Sequence, residues 1–206
     1  MLERPQMKPT RTIGGQKVLL LIGQHFDPSI PAVIKSLLRE AGASVFVASA
    51  RSDRLLLGWE RSDWGAQAEV DLSLDAVELG EFDTLVILGC EKGVDALRTH
   101  SAAADVAAAF ARAGKPVAAL GHGSHILIDA DIVRGRQLTA SCDLADAIRD
   151  AGAEWRDRSV VQDGNILTAQ GPQDAEELSR LLMDAMQFEA IRLGDQSPLD
   201  RGGPAG

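Results

Sequence analysis

Three short apolar runs, each ended at once by glycine, constrain this chain more than any other feature. Lys17-Val18-Leu19-Leu20-Leu21-Ile22 stops at Gly23, and Thr84-Leu85-Val86-Ile87-Leu88 stops at Gly89. Pro116-Val117-Ala118-Ala119-Leu120 runs straight into Gly121-His122-Gly123. Runs of this length with no polar face are strands covered on both sides, as in a parallel sheet between helices. The sequence between them agrees. Ile30, Val33, Ile34, Leu37 and Leu38 recur at helical spacing after Pro28 and end at Gly42, and the β-branched run Ser44 to Ala48 follows. Strand, helix and strand in so few residues make a βαβ unit.

Downstream, an alanine-rich helix is expected from Ser101 to Ala113, with Gly114 closing it. Ser124 to Val133, Leu144 to Ala151 and Asp174 to Leu193 read as helices. Gln137 to Ala140, Val160-Val161 and Ile166 to Thr168 read as strands, and Arg51 to Gln67 as a loop or small hairpin. The fold class is therefore α/β, a doubly wound and mostly parallel sheet flanked by helices in a single domain. At 206 residues one core is expected. It should span 17–193, between a polar N-terminal arm (1–16) and a Gly- and Pro-rich tail (194–206).

Charge narrows the partners. A net charge of -9 repels phosphate backbones, and aromatics at 4% leave little for base stacking, so nucleic acid is not expected. No apolar run is long enough to cross a membrane, and Met1 to Gln16 lacks the apolar stretch of a secretory signal. Cys90 and Cys142 are too few for a disulfide framework, which fits a reducing cytoplasm.

In sheets of this class ligands bind at the carboxyl ends of the strands. That rule selects Gly23 to Asp27, Gly89 to Lys92 and Gly121 to His125. A strand turning at once into a helix makes an elbow whose tip is driven towards φ > 0, where glycine alone is unstrained. The backbone N–H groups that open the next helix make an oxyanion site, so Gly89, Cys90, Gly121 and Gly123 are the candidate elbow and oxyanion residues. Asp27 and His122 are the candidate acid–base pair, and His25, Glu91, Ser124 and His125 are the candidate lining. A carboxylate and an imidazole in a partly desolvated cleft exchange protons near neutral pH, which suits hydration, elimination or isomerisation of a small molecule.

Two further readings involve the same residues. Cys90 could act as a relocated nucleophile, although the neighbouring Glu91 opposes a thiolate and a small thiol also simply fills space. His25, His122 and His125 with Asp27 or Glu91 offer zinc-type ligands, but no H-E-x-x-H spacing is present. No metal or cofactor is expected. His100 reads as a surface residue near a helix start.

Lys115-Pro116-Val117-Ala118-Ala119-Leu120-Gly121-His122-Gly123 resembles the elbow of the ThiJ/PfpI superfamily, which reads K-P-V-A-A-I-C-H-G. Arg134-Gly135-Arg136-Gln137-Leu138-Thr139 resembles its G-R-x-x-T step, and Ala151-Gly152-Ala153-Glu154-Trp155 its A-G-x-x-W/F segment. Val161 to Pro172 is similar to its V-x-D-G-N-L-V-T-x-x-x-P. The likeness runs from about residue 17 to 190. It implies the class I glutamine amidotransferase-like fold, a homodimer, and membership among deglycase or glyoxalase-like enzymes, cysteine peptidases, isonitrile hydratases and non-catalytic relatives.

The departures decide which of these can apply. By the resemblance, the nucleophilic cysteine falls on Gly121 and the N-terminal acidic residue on Asp27, and paired glycines become Gly89-Cys90. The Tyr-Pro that often follows the G-R-x-x-T step becomes Ser141-Cys142. The family's covalent reactions need the thiolate, so the expected function is non-covalent acid–base chemistry of lyase, hydratase or isomerase type using Asp27 and His122. The alternatives are a catalytically degenerate binding or stress-associated protein, and an engineered replacement of an elbow cysteine.

Overall fold

The computed structural model describes residues 13–50, 55–60 and 63–194. In chain order, β1 (Lys17–Ile22), α1 (Ser29–Glu40) and β2 (Ser44–Ser49) form the expected βαβ unit. β3 (Leu55–Glu60) and β4 (Asp63–Glu69) pair antiparallel as a separate hairpin, within the segment read as a loop or hairpin. Then come β5 (Leu72–Ser73), β6 (Thr84–Gly89), α2 (Glu91–Arg98), α3 (Ser101–Arg112), β7 (Val117–Gly121) and α4 (Ser124–Asp129). The chain continues through β8 (Gln137–Leu138), α5 (Ala145–Asp150), β9 (Glu154–Trp155), β10 (Val160–Asp163), β11 (Ile166–Ala169) and α6 (Ala175–Gly194).

Seven strands make one sheet in the order β10-β11-β7-β6-β1-β2-β5, parallel except for the β10–β11 pair. Alternate residues of each strand point to opposite faces. Leu19, Leu21, Leu85, Ile87 and Ala119 face α2, α3 and α4, where Leu97, Val106, Phe110 and Ile126 are buried against them. Val18, Leu20, Ile22, Val86 and Leu88 face α1 and α6, meeting Ile34, Leu38, Leu178, Leu182 and Met186. Both faces are covered, which is why the strands carry no polar alternation. Each fully buried Leu or Ile contributes about 1.5–3 kcal/mol relative to exposure.

Three boundaries differ from the sequence reading. α2 has little helical signal in the sequence: only Val94 and Leu97 mark its buried face, and Gly93 in its first turn weakens it. α4 stops at Asp129 instead of Val133, because Asp131 takes φ +50 and turns the chain. The end of the expected arm is docked. Ile13 is buried and its N–H donates to the Ala41 carbonyl at 2.9 Å, while Gln16 O accepts from Ser44 N at 2.9 Å. The remainder of the arm and the tail after Gly194 lie outside the described residues. Among the described residues no helix is long and apolar enough to cross a membrane.

Candidate functional site

β7 ends at Gly121, whose φ is +58, and α4 begins three residues later. The elbow expected from sequence is therefore present, in the left-handed conformation that L side chains adopt only with strain. A Cβ built on Gly121 would meet only the Gln170 and Gly89 carbonyl oxygens, each at 3.6 Å, so the strained position still has space for a side chain. Gly123 is glycine for a different reason. A Cβ there would lie 2.6 Å from the Ile87 carbonyl oxygen, so α4 could not approach β6 as closely.

A cleft of about 600 Å³ opens beside the elbow. Asp27 reaches it from the end of β1, Gly89 and Cys90 from the end of β6, and Gly121 and His122 from the end of β7. These three strands are adjacent in the sheet, so their carboxyl ends converge as the strand-end rule requires. The opposite wall is built from Ser141 and Cys142, Asp157, and Gln170 to Gln173 after β11.

His122 has a carboxylate partner, and it is Asp143. Nε2 lies 2.9 Å from Asp143 Oδ2. With the carboxylate ionised, Nε2 carries the proton and Nδ1 is the nitrogen left to accept one. The imidazole is mostly shielded, at 19% exposure, whereas the Asp143 side chain is 55% exposed. Asp143 is held below the ordinary carboxyl value, chiefly by a hydrogen bond from the Ser141 side chain and further by His122.

Asp27 lines the cleft but serves α1 as well. Its Oδ1 accepts from the Ser29 N–H at 2.9 Å and the Ser29 hydroxyl at 2.7 Å, an Asx-type turn just ahead of the helix. Cys90 also lines the cleft, half-buried. Its thiol donates to the His25 carbonyl at 2.8 Å, and its sulfur accepts from the Gly93 N–H at 3.4 Å, capping α2. A sulfur that donates to a carbonyl is a thiol, and a thiolate would forfeit that bond.

Three of the expected lining residues are not among those that border the cleft. Ser124 is fully buried, and its hydroxyl has no partner among the described residues; it opens α4 and faces the core, outside the cleft wall. His125 stacks at 6.5 Å from the His122 ring but does not line the cleft. Burial, and then the Arg98 guanidinium, lower its pKa from the ordinary histidine value. His25 takes φ +63 and contributes its backbone, with its N–H donating to Leu57 O at 3.1 Å. Glu91 begins α2, and its side chain lies outside the described residues. Among the described residues no group of three His, Cys, Asp or Glu side chains is placed to hold a metal ion.

Sequence reasoning missed Asp143, Asp157 and the Gln170–Gln173 wall. Asp143 follows His122 by 21 residues on a separate loop, and no local spacing marks such a pair. The only sequence signal was the Ser141-Cys142 departure immediately before it.

Comparison with known proteins agrees with this architecture. The DJ-1/PfpI family profile matches residues 16–185. A deglycase of Thermococcus kodakarensis is 34% identical over 158 residues, 77% of this chain and 92% of that protein. The protein/nucleic acid deglycase 2 of Escherichia coli is 32% identical over 179 residues, 86% of this chain and 97% of that protein. Among solved structures, the two-domain protein of Anabaena variabilis with DJ-1/ThiJ/PfpI-like and ferritin-like domains superposes with a TM-score of 0.76. It is 27% identical, and the match covers 92% of this chain and 53% of that one. DJ-1beta of Drosophila melanogaster shares the fold with a TM-score of 0.74 at 23% identity, covering 86% of this chain and 97% of that one.

Proposed function

This chain belongs to the DJ-1/PfpI family, and from that premise we propose that it is a non-covalent acid–base enzyme acting on a small molecule. His122 is the proton-transferring group and Asp143 the carboxylate that positions it. The observation that carries this reading is the 2.9 Å contact between His122 Nε2 and Asp143 Oδ2 at a cleft reached by three adjacent strand ends.

Gly121 brings no nucleophile to the elbow, so the attacking group is water or the substrate itself, accommodated in the open volume beside that residue. In a hydration, His122 Nδ1 takes the proton of water as its oxygen bonds to the electrophilic carbon, and then returns a proton to the product. Asp143 accepts the Nε2–H throughout and stabilises the imidazolium that forms. Asp27, the acid expected from sequence, lines the cleft itself, with one oxygen engaged by Ser29. The two relatives above are named deglycases, that of Escherichia coli a protein/nucleic acid deglycase, and the small-molecule substrate is this proposal's own.

A panel of small aldehydes, ketones and isonitriles tests the reading. At least one should be turned over, with kcat falling about 10²–10⁴-fold in His122→Ala. Asp143→Asn should lower kcat by at least about tenfold with little change in KM, because it acts through the imidazole. Activity that persists unchanged in both folded variants would overturn the proposal. A binding protein without turnover is the second reading. It is favoured by the commitment of Asp27 to Ser29 and of the Cys90 thiol to the His25 carbonyl.

A further inference from the structure

One wall of the cleft carries an amide whose direction its partner fixes. β11 runs parallel to β7 with Ala169 beside Leu120, so Gln170 leaves the sheet next to Gly121. Its backbone carbonyl lies 3.6 Å from where a Gly121 Cβ would sit, and its N–H donates to Ser159 O at 3.0 Å. Gln170 and Asp157 both line the cleft, and the Gln170 Nε2 donates to Asp157 Oδ1 at 2.8 Å. The segment carrying Asp157 is itself tied to the sheet. The Thr139 hydroxyl donates to Arg158 O at 2.8 Å, and the Thr139 N–H donates to Thr168 Oγ1 at 2.9 Å. Both threonines are fully buried.

A carboxylate oxygen only accepts hydrogen bonds, so the amide turns its NH2 group to Asp157 and its Oε1 away from it. That oxygen has no partner among the described residues. The unpartnered side-chain atoms shut off from solvent belong to Thr84, His100, Ser124 and Trp155, so Oε1 of half-buried Gln170 is not enclosed. The cleft therefore has an oriented acceptor beside the elbow. Neighbouring strands lie about 4.8 Å apart, so a group bonded to Gln170 is one or two bonds from an atom held over His122. An acceptor there favours a ligand with a donor next to its reacting carbon. An ether or a second carbonyl would set oxygen against oxygen.

Granting the acid–base reading above, we propose that Gln170 selects the substrate, which is an α-hydroxyaldehyde or α-hydroxyketone. Its hydroxyl donates to Oε1 while its carbonyl carbon faces His122. Asp157 is a positioning residue, because it acts by fixing the direction of the amide.

Three small ketones test this: hydroxyacetone, butanone with a methyl group in place of the hydroxyl, and methoxyacetone, whose ether oxygen only accepts. Each is titrated against the full chain and followed by the amide shifts of Gly121, His122 and Gly171. Hydroxyacetone should bind about three- to tenfold more tightly than either other ketone, the range that one net hydrogen bond supplies. In Gln170→Leu that ratio should fall to about one. In Asp157→Asn the new side chain donates as well as accepts, which frees the Gln170 amide to turn. The ratio of hydroxyacetone to methoxyacetone should then fall at least about twofold, and Asp157→Glu, again only an acceptor, should keep hydroxyacetone ahead. Equal binding of the three ketones, no shift with any of them, or a hydroxyl preference that survives in Gln170→Leu would overturn the proposal. A ratio untouched by Asp157→Asn would overturn the role given to Asp157. Binding is read without turnover, so failure here leaves the His122 chemistry standing, and failure of the activity panel leaves the ligand preference standing.

Discussion

Asp143 accepts a 2.9 Å hydrogen bond from His122, a cleft-lining residue 21 positions earlier on the other side of α4 in sequence. The contact fixes the imidazole tautomer and joins the β7 elbow to the loop that precedes α5. Ser141, two residues earlier, is the main cause that lowers the Asp143 pKa.

The lowered pKa of Asp143 sets the sign of one prediction. A carboxyl whose pKa is depressed on folding stabilises the protein above its unfolded value and loses that contribution as pH falls through the folded value. Wild type should therefore exceed Asp143→Asn in stability near pH 7 and converge with it below about pH 4. The side chain is more than half exposed, so the difference should stay below about 0.5 kcal/mol after solvent screening. Urea denaturation at the two pH values measures it, and a gap that widens in acid contradicts the assignment.

His125 behaves differently. Burial and Arg98 lower its pKa, so protonation is disfavoured in the folded state and stability falls as pH drops below the ordinary histidine value of 6.5. Thermal unfolding at pH 7.5 and 5.5 should show wild type losing more than His125→Gln over that interval. Parallel losses would place the acid sensitivity elsewhere.

The two elbow glycines should separate cleanly under alanine substitution. Gly121→Ala meets no close atom but must hold φ +58, at a cost of about 1–2 kcal/mol. Gly123→Ala forces a Cβ to within 2.6 Å of the Ile87 carbonyl, a backbone atom that cannot swing aside, and should cost more than about 3 kcal/mol. Chemical denaturation ranks them, and the reverse order would contradict the elbow geometry.

Thiol reactivity should follow exposure and bonding. Cys142 is exposed, whereas Cys90 is half-buried and donates to the His25 carbonyl. Iodoacetamide labelling followed by mass spectrometry should modify Cys142 at least about tenfold faster. Faster labelling at Cys90 would revive it as a relocated nucleophile.

Asp27 holds a turn with Ser29 that can be measured apart from chemistry. Asp27→Ala should cost about 0.5–2 kcal/mol, and Asp27→Asn, which keeps an acceptor for Ser29, only a few tenths. Equal losses in urea melts would mean that charge, not the turn hydrogen bonds, matters here.

The amino-acid order alone determined the layered fold, because a strand buried on both faces must be apolar throughout and a parallel neighbour needs a helical crossover. It also determined the elbow: Gly121 closes an apolar strand and leads directly into a helix. It did not reveal α2, whose buried face rests on Val94 and Leu97 alone and whose start depends on a cysteine cap.

Only the tertiary structure decided which acid meets His122 and which candidates face the cleft. Period and propensity act between residues a few positions apart, whereas a side-chain pair across 21 residues depends on where two loops are delivered by the sheet. The same limit hid Ser124 in the core and kept His125 out of the cleft wall. Their positions along α4 were legible, but the direction each one faces is set by how that short helix packs against α2 and β7.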